Sequence, residues 1–151
     1  MKEFESVDDI LDYAISQEQE AAEFYLSLST KVKGPAMKDV FIHFSNEEMK
    51  HKAKLLDIKE KKVIASSFEK VKDLKIADFM VEVVPTDELT YKEAIVIAML
   101  KEKAAFKLYL TLSEKIPNPE LKSIFMMLAQ EESKHKLRFE LEYDEFVLTE
   151  N

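Results

Sequence analysis

Two short segments of the sequence carry the same pair of candidate metal ligands. Glu48-x-x-His51 and Glu132-x-x-His135 each place a carboxylate three residues before an imidazole. Side chains three residues apart lie on one face of an α-helix, so each pair can bind a single ion. One such motif is weak, because Glu and His are common on exposed helix faces. Two copies, each preceded at the same distance by another glutamate and a tyrosine, predict a metal site.

The two motifs belong to an internal repeat with an offset of 84 residues. This offset places Glu18 on Glu102 and Tyr25 on Tyr109. The connecting segments FYLSLSTKVKGPAMKDVF and LYLTLSEKIPNPELKSIF align as well. We therefore predict that the chain is one helical hairpin used twice.

The composition favours a helical protein with one domain over residues 1–151. The chain is 46% hydrophobic and 34% charged, and one glycine and four prolines leave few interruptions to long helices. The absence of cysteine excludes disulfides, thiolate catalysis, iron–sulfur clusters and Cys-ligated zinc.

The charge and hydropathy of the chain limit which partners and which cellular compartment we expect. A formal net charge of −8 argues against a general role in nucleic-acid binding, because phosphates would repel the chain. Met1 is followed directly by charged, helix-forming sequence, without a signal peptide or a long apolar run. We therefore expect a cytoplasmic protein with neither nucleic-acid nor membrane partners.

The first hairpin is predicted over residues of about 6–60. Ser6 caps its first helix, which runs to about Val32, and Gly34-Pro35 ends that helix and starts the next. Both helices have an apolar seam in steps of three and four residues, into which the candidate ligands fall. The seam residues are Leu11, Ala14, Glu18, Ala21, Tyr25, Leu28 and Val32, then Phe41, Phe44, Glu48, His51 and Leu55.

The second hairpin is predicted over residues of about 90–146. Thr90 and Glu93 match a capping box at its start, and Asn118 is the predicted cap of its second helix. The acidic tail of residues 140–151 should continue this helix for some turns and then fray. The seam residues are Ile95, Ala98, Glu102, Ala105, Tyr109, Leu112 and Ile116, then Phe125, Leu128, Glu132, His135 and Phe139.

The segment of about 61–89 has no long helical period and is predicted to be a crossover. Ser67–Val71 is a candidate short helix, and Ile76–Val84 is a candidate extended or mixed segment. Thirty residues are long for a connection inside a compact domain, so the segment should have a structural task. We expect it to run along the bundle, or to reach a partner chain in a swapped dimer.

The spacing of the glutamates predicts how the hairpins are arranged. Glu18 and Glu48 are equally far from the first turn, and Glu102 and Glu132 are equally far from the second. At ~1.5 Å per residue, all four lie roughly 22 Å from their turns. A two-fold axis perpendicular to the bundle brings the four to one height and reverses the helix directions. The prediction is an all-α, up-down-down-up four-helix bundle, for which the long crossover is required.

Four carboxylates on the apolar seam would be costly without counter-charges. Two divalent cations would neutralise them, and His51 and His135 would complete the coordination. Carboxylate and imidazole ligands without sulfur suit iron or manganese, and zinc also fits. Glu47 and His43 lie beside the seam and are not predicted as ligands. Tyr25 and Tyr109 are either aromatic core residues or hydrogen-bond donors to ligand carboxylates.

These motifs resemble the rubrerythrin branch of the ferritin-like di-iron carboxylate proteins, over roughly residues 10–142. The resemblance implies that Glu18 and Glu102 each bind one of two iron ions and that Glu48 and Glu132 bridge them. It also implies that His51 and His135 each bind one ion. The expected activity is reduction of hydrogen peroxide or dioxygen in a cytoplasmic homodimer. The residues that carry the resemblance are Glu18, Tyr25, Glu48, His51, Glu102, Tyr109, Glu132 and His135.

Two departures from this family pattern affect the expected activity. Full-length rubrerythrins resemble this chain followed by a rubredoxin module with a Cys-ligated iron, so electrons would have to come from a separate protein such as a rubredoxin. Rubrerythrins also have a glutamate three residues after the ligand of the third helix. Here that position is Ala105, and the corresponding position of the first helix is Ala21.

Three functions therefore remain open from the sequence. The first is a di-iron oxidoreductase that acts on peroxide or dioxygen, with Tyr25 and Tyr109 beside the reacting centre. The second is oxidation or storage of ferrous ion, as in ferritins. The third is a metal-binding module without turnover.

Overall fold

The computed structural model describes residues 7–61, 76–81 and 89–150, and their regular structure is helical. Four long helices are present: α1 (Val7–Ser29), α2 (Pro35–Lys61), α3 (Tyr91–Lys115) and α4 (Pro119–Glu150). A short 3-10 helix, Ile76–Phe79, lies between α2 and α3 in the chain. Within the described residues, no helix is long and apolar enough to cross a membrane.

The helix starts in the second hairpin follow the predicted capping chemistry. The Thr90 hydroxyl accepts a hydrogen bond from the Glu93 backbone N–H, and the Glu93 carboxylate accepts one from the Thr90 N–H. The Asn118 side chain accepts a bond of 3.1 Å from the backbone N–H of Leu121. These bonds satisfy donors that the first helical turn leaves free. Ser6, the predicted cap of α1, lies outside the described residues.

One helix end differs from the sequence prediction. Helix α1 ends at Ser29 rather than at Val32, because the N–H groups of Thr30 and Lys31 bond to carbonyls three residues back and tighten the last turn. Helix α4 continues beyond residue 140 for several turns, to Glu150, as the sequence predicted. Its last turns lie against the start of α3, where the Tyr91 hydroxyl donates to Glu142 and its ring contacts Phe146.

Contacts between elements give the direction of each helix. In the first hairpin, Ser45 of α2 donates to the Ala22 carbonyl of α1, and farther from the turn Lys52 reaches Gln19. The two helices are therefore antiparallel. Tyr91 near the start of α3 meets Glu142 and Phe146 near the end of α4, so the second hairpin is antiparallel as well.

Helices α1 and α3 also run in opposite directions. Glu18 of α1 is paired with Tyr109, and Tyr25, two turns farther along α1, is paired with the earlier residue Glu102. Since α1 opposes both α2 and α3, the order is up-down-down-up. The predicted ferritin-like four-helix bundle is confirmed.

The core consists of two apolar clusters, one toward each end of the bundle. Each cluster takes the turn end of one hairpin and the open end of the other. One contains Ile10, Leu11, Ala14, Leu55, Ile58, Phe79, Leu108, Tyr109, Leu112, Ile116, Leu121, Phe125, Leu128 and Ala129. The other contains Ala21, Tyr25, Leu28, Met37, Phe41, Ala94, Ile95, Ala98 and Phe139.

The described part of the crossover packs on this same chain, against α1 and α3. Phe79 is buried in the first cluster, and its carbonyl accepts a hydrogen bond of 3.1 Å from the Tyr13 hydroxyl. The predicted extended or mixed segment Ile76–Val84 therefore begins as a 3-10 helix. Its residues after 81 and the candidate helix Ser67–Val71 lie outside the described residues.

Candidate metal centre

Six side chains of the apolar seams converge between the two clusters. Each helix supplies at least one of them, because the 3.6-residue period turns these positions inward at mid-helix. All six are 6% exposed or less, although each is charged or ionisable. They are the six ligands predicted from the sequence: Glu18, Glu48, His51, Glu102, Glu132 and His135.

The ligand atoms form two overlapping groups, each small enough to surround one ion. One contains Glu18 and His51, the other contains Glu102 and His135, and both include Glu48 and Glu132. Within each group the ligand atoms lie within 4.8 Å of one another. Two carboxylates shared by two groups are what bridging ligands require. The role of each side chain as a ligand stays a prediction.

The distances follow the two-fold relation predicted from the repeat. His51 Nδ1 lies 2.7 Å from a Glu132 oxygen and 3.5 Å from a Glu18 oxygen. His135 Nδ1 lies 2.8 Å from a Glu48 oxygen and 3.5 Å from a Glu102 oxygen. Each imidazole therefore faces the glutamate of the other hairpin's motif more closely than the one in its own.

These close approaches are not hydrogen bonds. The Nδ1 atoms of His51 and His135 are buried without a hydrogen-bond partner, and so are the carboxylate oxygens they approach. Buried polar atoms in proteins are almost always satisfied. Atoms that converge on one point without bonding to each other fit ions bound between them. The other atoms without a partner include Glu18 Oε2 and Glu102 Oε2.

Burial and repulsion keep protons on part of the metal-free centre. Burial, together with the charges of the other glutamates, raises the pKa of Glu48 and of Glu132 well above the ordinary value. Burial also acts to raise the pKa of Glu18, but its contacts with Glu48, His51 and Tyr109 outweigh this effect and lower the pKa. Ion binding would displace protons from the first two carboxyls, as expected when metal and proton compete for a ligand.

The two tyrosines connect the hairpins at the metal centre. The Tyr109 hydroxyl donates to Glu18 Oε1, and the Tyr25 hydroxyl donates to Glu102 Oε1. Each bond engages one carboxylate oxygen and leaves Oε2 without a hydrogen-bond partner. In Glu18 this Oε2 is the oxygen nearest His51 Nδ1, whereas in Glu102 the oxygen nearest His135 Nδ1 is Oε1, which also accepts from Tyr25. Burial and the neighbouring carboxylates raise the pKa of both hydroxyls well above the ordinary value, so both remain protonated donors. The tyrosines are thus core residues and carboxylate donors together.

Replacing Tyr109 by phenylalanine is expected to lower the free energy of unfolding by about 1–3 kcal/mol, because a buried carboxylate oxygen loses its donor. Urea denaturation of the metal-free protein measures the change. Tyr143→Phe is the matched control, because this partly buried tyrosine makes a cation–π contact and lies away from the carboxylates. A change no larger than that of the control would contradict a stabilising role for the Tyr109 hydroxyl.

Glu47 is the residue of this region that the sequence did not single out. It lies one position off the seam, yet its Oε2 is 3.6 Å from Nε2 of His135 across the bundle. The only sequence signal is that both motifs are preceded by a glutamate, Glu47 in one and Glu131 in the other. His43, predicted as a flank residue, has a side chain that is 66% exposed.

A small cavity lies on the α1–α3 side of the centre. Its volume is about 30 Å³, and its lining includes Glu18, Glu102, Ala21, Ala105 and Phe79. A water molecule needs roughly 10–15 Å³ by this measure, so the cavity holds about two. The two alanines are the positions at which the sequence departs from the resemblance, and their small side chains leave this space.

The comparison with known protein families agrees with this geometry. The sequence model of the family Rubrerythrin matches residues 9–143, nearly the whole chain. The chain belongs to the rubrerythrin family. No curated protein matches it significantly.

This rubrerythrin-family protein also resembles a solved structure from Thermotoga maritima. That crystal structure is of a candidate ferritin-like diiron-carboxylate protein. The two chains superpose with a TM-score of 0.77, covering 96% of this chain and 99% of the other, at 24% sequence identity. At this identity the likeness shows the fold. The buried Glu and His side chains of the rubrerythrin-family protein occupy the middle of that fold.

Proposed function

We propose that this protein is a non-haem di-iron oxidoreductase that reduces hydrogen peroxide, or dioxygen, with electrons from a separate donor protein. The observation that carries the proposal is the convergence of unpartnered Glu and His atoms into two groups that share Glu48 and Glu132. Membership of the rubrerythrin family supports the choice of iron. Oxygen and nitrogen ligands without sulfur also accept manganese and zinc.

Bound iron would supply the redox chemistry, since none of the Glu, His and Tyr side chains of the centre is an electron carrier at neutral pH. The protein would hold the ions with its six side chains and keep bulk water away, because all six are buried. We propose that the electrons come from another protein, for which a rubredoxin is the proposed class.

Tyr25 and Tyr109 are proposed to orient the carboxylates and to manage protons. Their hydroxyls each fix one oxygen of Glu102 and of Glu18, which would hold these carboxylates in a single orientation toward the centre. Reduction of peroxide to water consumes protons as well as electrons. The two tyrosine hydroxyls, whose raised pKa keeps them protonated, are the proton-bearing groups of this chain beside the ligand carboxylates.

The cavity beside the centre supports a small oxidant as substrate. With room for about two water molecules, it admits hydrogen peroxide or dioxygen but not an organic substrate. The side chains of Ala21 and Ala105 border it, where a glutamate at position 105 would fill the space. Turnover is accordingly expected to be slower than in rubrerythrins that have that glutamate.

The identity of the preferred oxidant is tested by rapid mixing of the anaerobic diferrous protein with peroxide or with dioxygen. We expect the ferric absorbance to rise faster with peroxide, because peroxide accepts two electrons in one step and brings its own protons. The measurement is stopped-flow absorbance at equal oxidant concentrations, with the Glu48→Gln variant as the control for iron outside the centre. Faster oxidation by dioxygen would replace peroxide reduction with dioxygen reduction or with ferrous-ion oxidation. Solution mass then separates a ferritin-like shell from a small oligomer.

A further inference from the structure

The two halves of the centre are not equivalent on their outer side. The repeat that relates the ligands is broken at two positions of α2 that face His135. Phe44 corresponds to Leu128, and His43 corresponds to Met127. Both breaks lie about one turn before the Glu-x-x-His motif of α2.

Two residues of α2, Phe44 and Glu47, contact the outer side of His135, and a third, His43, contacts Glu47. The Phe44 ring stacks on the imidazole at 4.0 Å between centroids and an interplanar angle of 21°. Glu47 Oε2 lies 3.6 Å from His135 Nε2, a buried atom that has no hydrogen-bond partner. His43 Nε2 in turn lies 2.6 Å from the other oxygen of Glu47. We call Phe44, Glu47 and His43 the brace.

His51 has a different outer side. Within the described part of the chain, its contacts with carboxylates inside 4.0 Å all involve Nδ1, the nitrogen that faces the centre. His51 borders a groove of about 690 Å³ between α2 and α4, whose lining also includes Leu128, Glu131 and Glu47 of the brace. Leu128 cannot stack as Phe44 does, and Met127 cannot bind a carboxylate as His43 does.

The chemistry of a ligating imidazole gives the brace a role. If Nδ1 of His135 binds an ion, a neutral ring must carry its proton on Nε2, which is then a donor. Metal-bound histidines usually donate this proton to a carboxylate, which fixes the ring and increases its basicity. A small side-chain movement shortens the 3.6 Å separation to a hydrogen bond, and His43 already holds Glu47 in place.

We infer that Glu47 is a positioning residue for His135, and that the brace makes the metal position of His135 tighter than the position of His51. This inference rests on the proposed dinuclear centre. It adds that the two positions fill in order and that the ion beside His51 exchanges first, through the α2–α4 groove. Loss of an outer carboxylate partner typically weakens metal binding 10–100-fold.

The inference is tested by titrating the metal-free protein with Co²⁺, followed by its visible absorption, in two ligand-deficient backgrounds. In His51→Ala the remaining position is that of His135, and Glu47→Gln should weaken binding about 10–100-fold. In His135→Ala, which retains the position of His51, the same substitution should change affinity less than about threefold. Glu23→Gln is the control, because this exposed carboxylate of α1 belongs to no ligand group around either imidazole. Glu131, the repeat partner of Glu47, is not a neutral control, because its carboxylate lies within 4.8 Å of the ligand atoms of Glu47 and His135.

A second measurement needs no substitution in the centre. In the Co²⁺-loaded full chain, the paramagnetic NMR spectrum should contain one imidazole N–H that exchanges slowly with solvent and one that exchanges rapidly. Glu47→Gln should accelerate the slow signal, whereas Glu23→Gln should not. A purely structural role of Glu47 would leave this exchange rate unchanged.

The outcomes separate this inference from the proposed function. Equal effects of Glu47→Gln in both backgrounds, or two equally protected N–H signals, would overturn the inequality of the two positions while leaving a dinuclear centre. Failure of the unsubstituted chain to bind two Co²⁺ ions would instead overturn the dinuclear centre itself.

Discussion

Replacing Glu48 or Glu132 by alanine is expected to abolish binding at both metal positions, whereas replacing His51 or His135 should leave about one ion per chain. Each of the two glutamates belongs to both ligand groups, and each histidine belongs to one of the dinuclear groups. Loss of a shared carboxylate also removes a negative charge that would neutralise both ions. Metal analysis of iron-loaded protein gives the stoichiometry, and anomalous scattering locates the remaining ion.

The control for this series is Glu20→Ala, which removes an exposed carboxylate from α1 and should retain both ions. If all four ligand variants lose one ion and retain one, the bridging assignment of Glu48 and Glu132 is wrong. If ions persist in the glutamate variants at other positions, the centre itself has been misplaced.

Loading the metal-free protein with Fe²⁺ or Co²⁺ is expected to raise its melting temperature by roughly 10–20 °C. Two ions, each present at about 100 times its dissociation constant, stabilise the fold by about 5 kcal/mol in total. For a chain of this size each kcal/mol corresponds to about 2–4 °C. Differential scanning calorimetry with and without a chelator measures the shift.

The double variant Glu48→Gln/Glu132→Gln is the control for metal stabilisation. It should show almost no shift with metal, because the shared ligands are gone. Its metal-free form should melt at or above the metal-free original at neutral pH, since neutral amides replace carboxyls whose burial and mutual repulsion raise their pKa. A metal shift in this variant as large as in the original would place the stabilising ions elsewhere.

The fold and the convergence of the six candidate ligands could be predicted from the sequence. The seam spacing determines which face of each helix turns inward, and the repeat shows that both hairpins turn the same face inward. Together with the length of the crossover they predicted the antiparallel pairing of α1 with α3, which the Tyr25–Glu102 and Tyr109–Glu18 bonds display.

The structural features that the sequence did not predict depend on distances between helices. The approach of Glu47 to His135 depends on how far α2 rotates toward α4, and a position one step off the seam carries no local sign of that rotation. The end of α1 at Ser29 depends on how tightly the turn closes.

The division of the core into two apolar clusters has a consequence for how cooperatively the protein unfolds. A layer of carboxylates and imidazoles separates the clusters, and each cluster joins the turn of one hairpin to the open ends of the other. In the absence of ions, repulsion within this layer weakens the coupling between the two clusters. Each cluster can then unfold as a separate cooperative unit. Ions bridged by Glu48 and Glu132 would connect all four helices across the layer. Metal would then determine whether the bundle melts in one transition or in two.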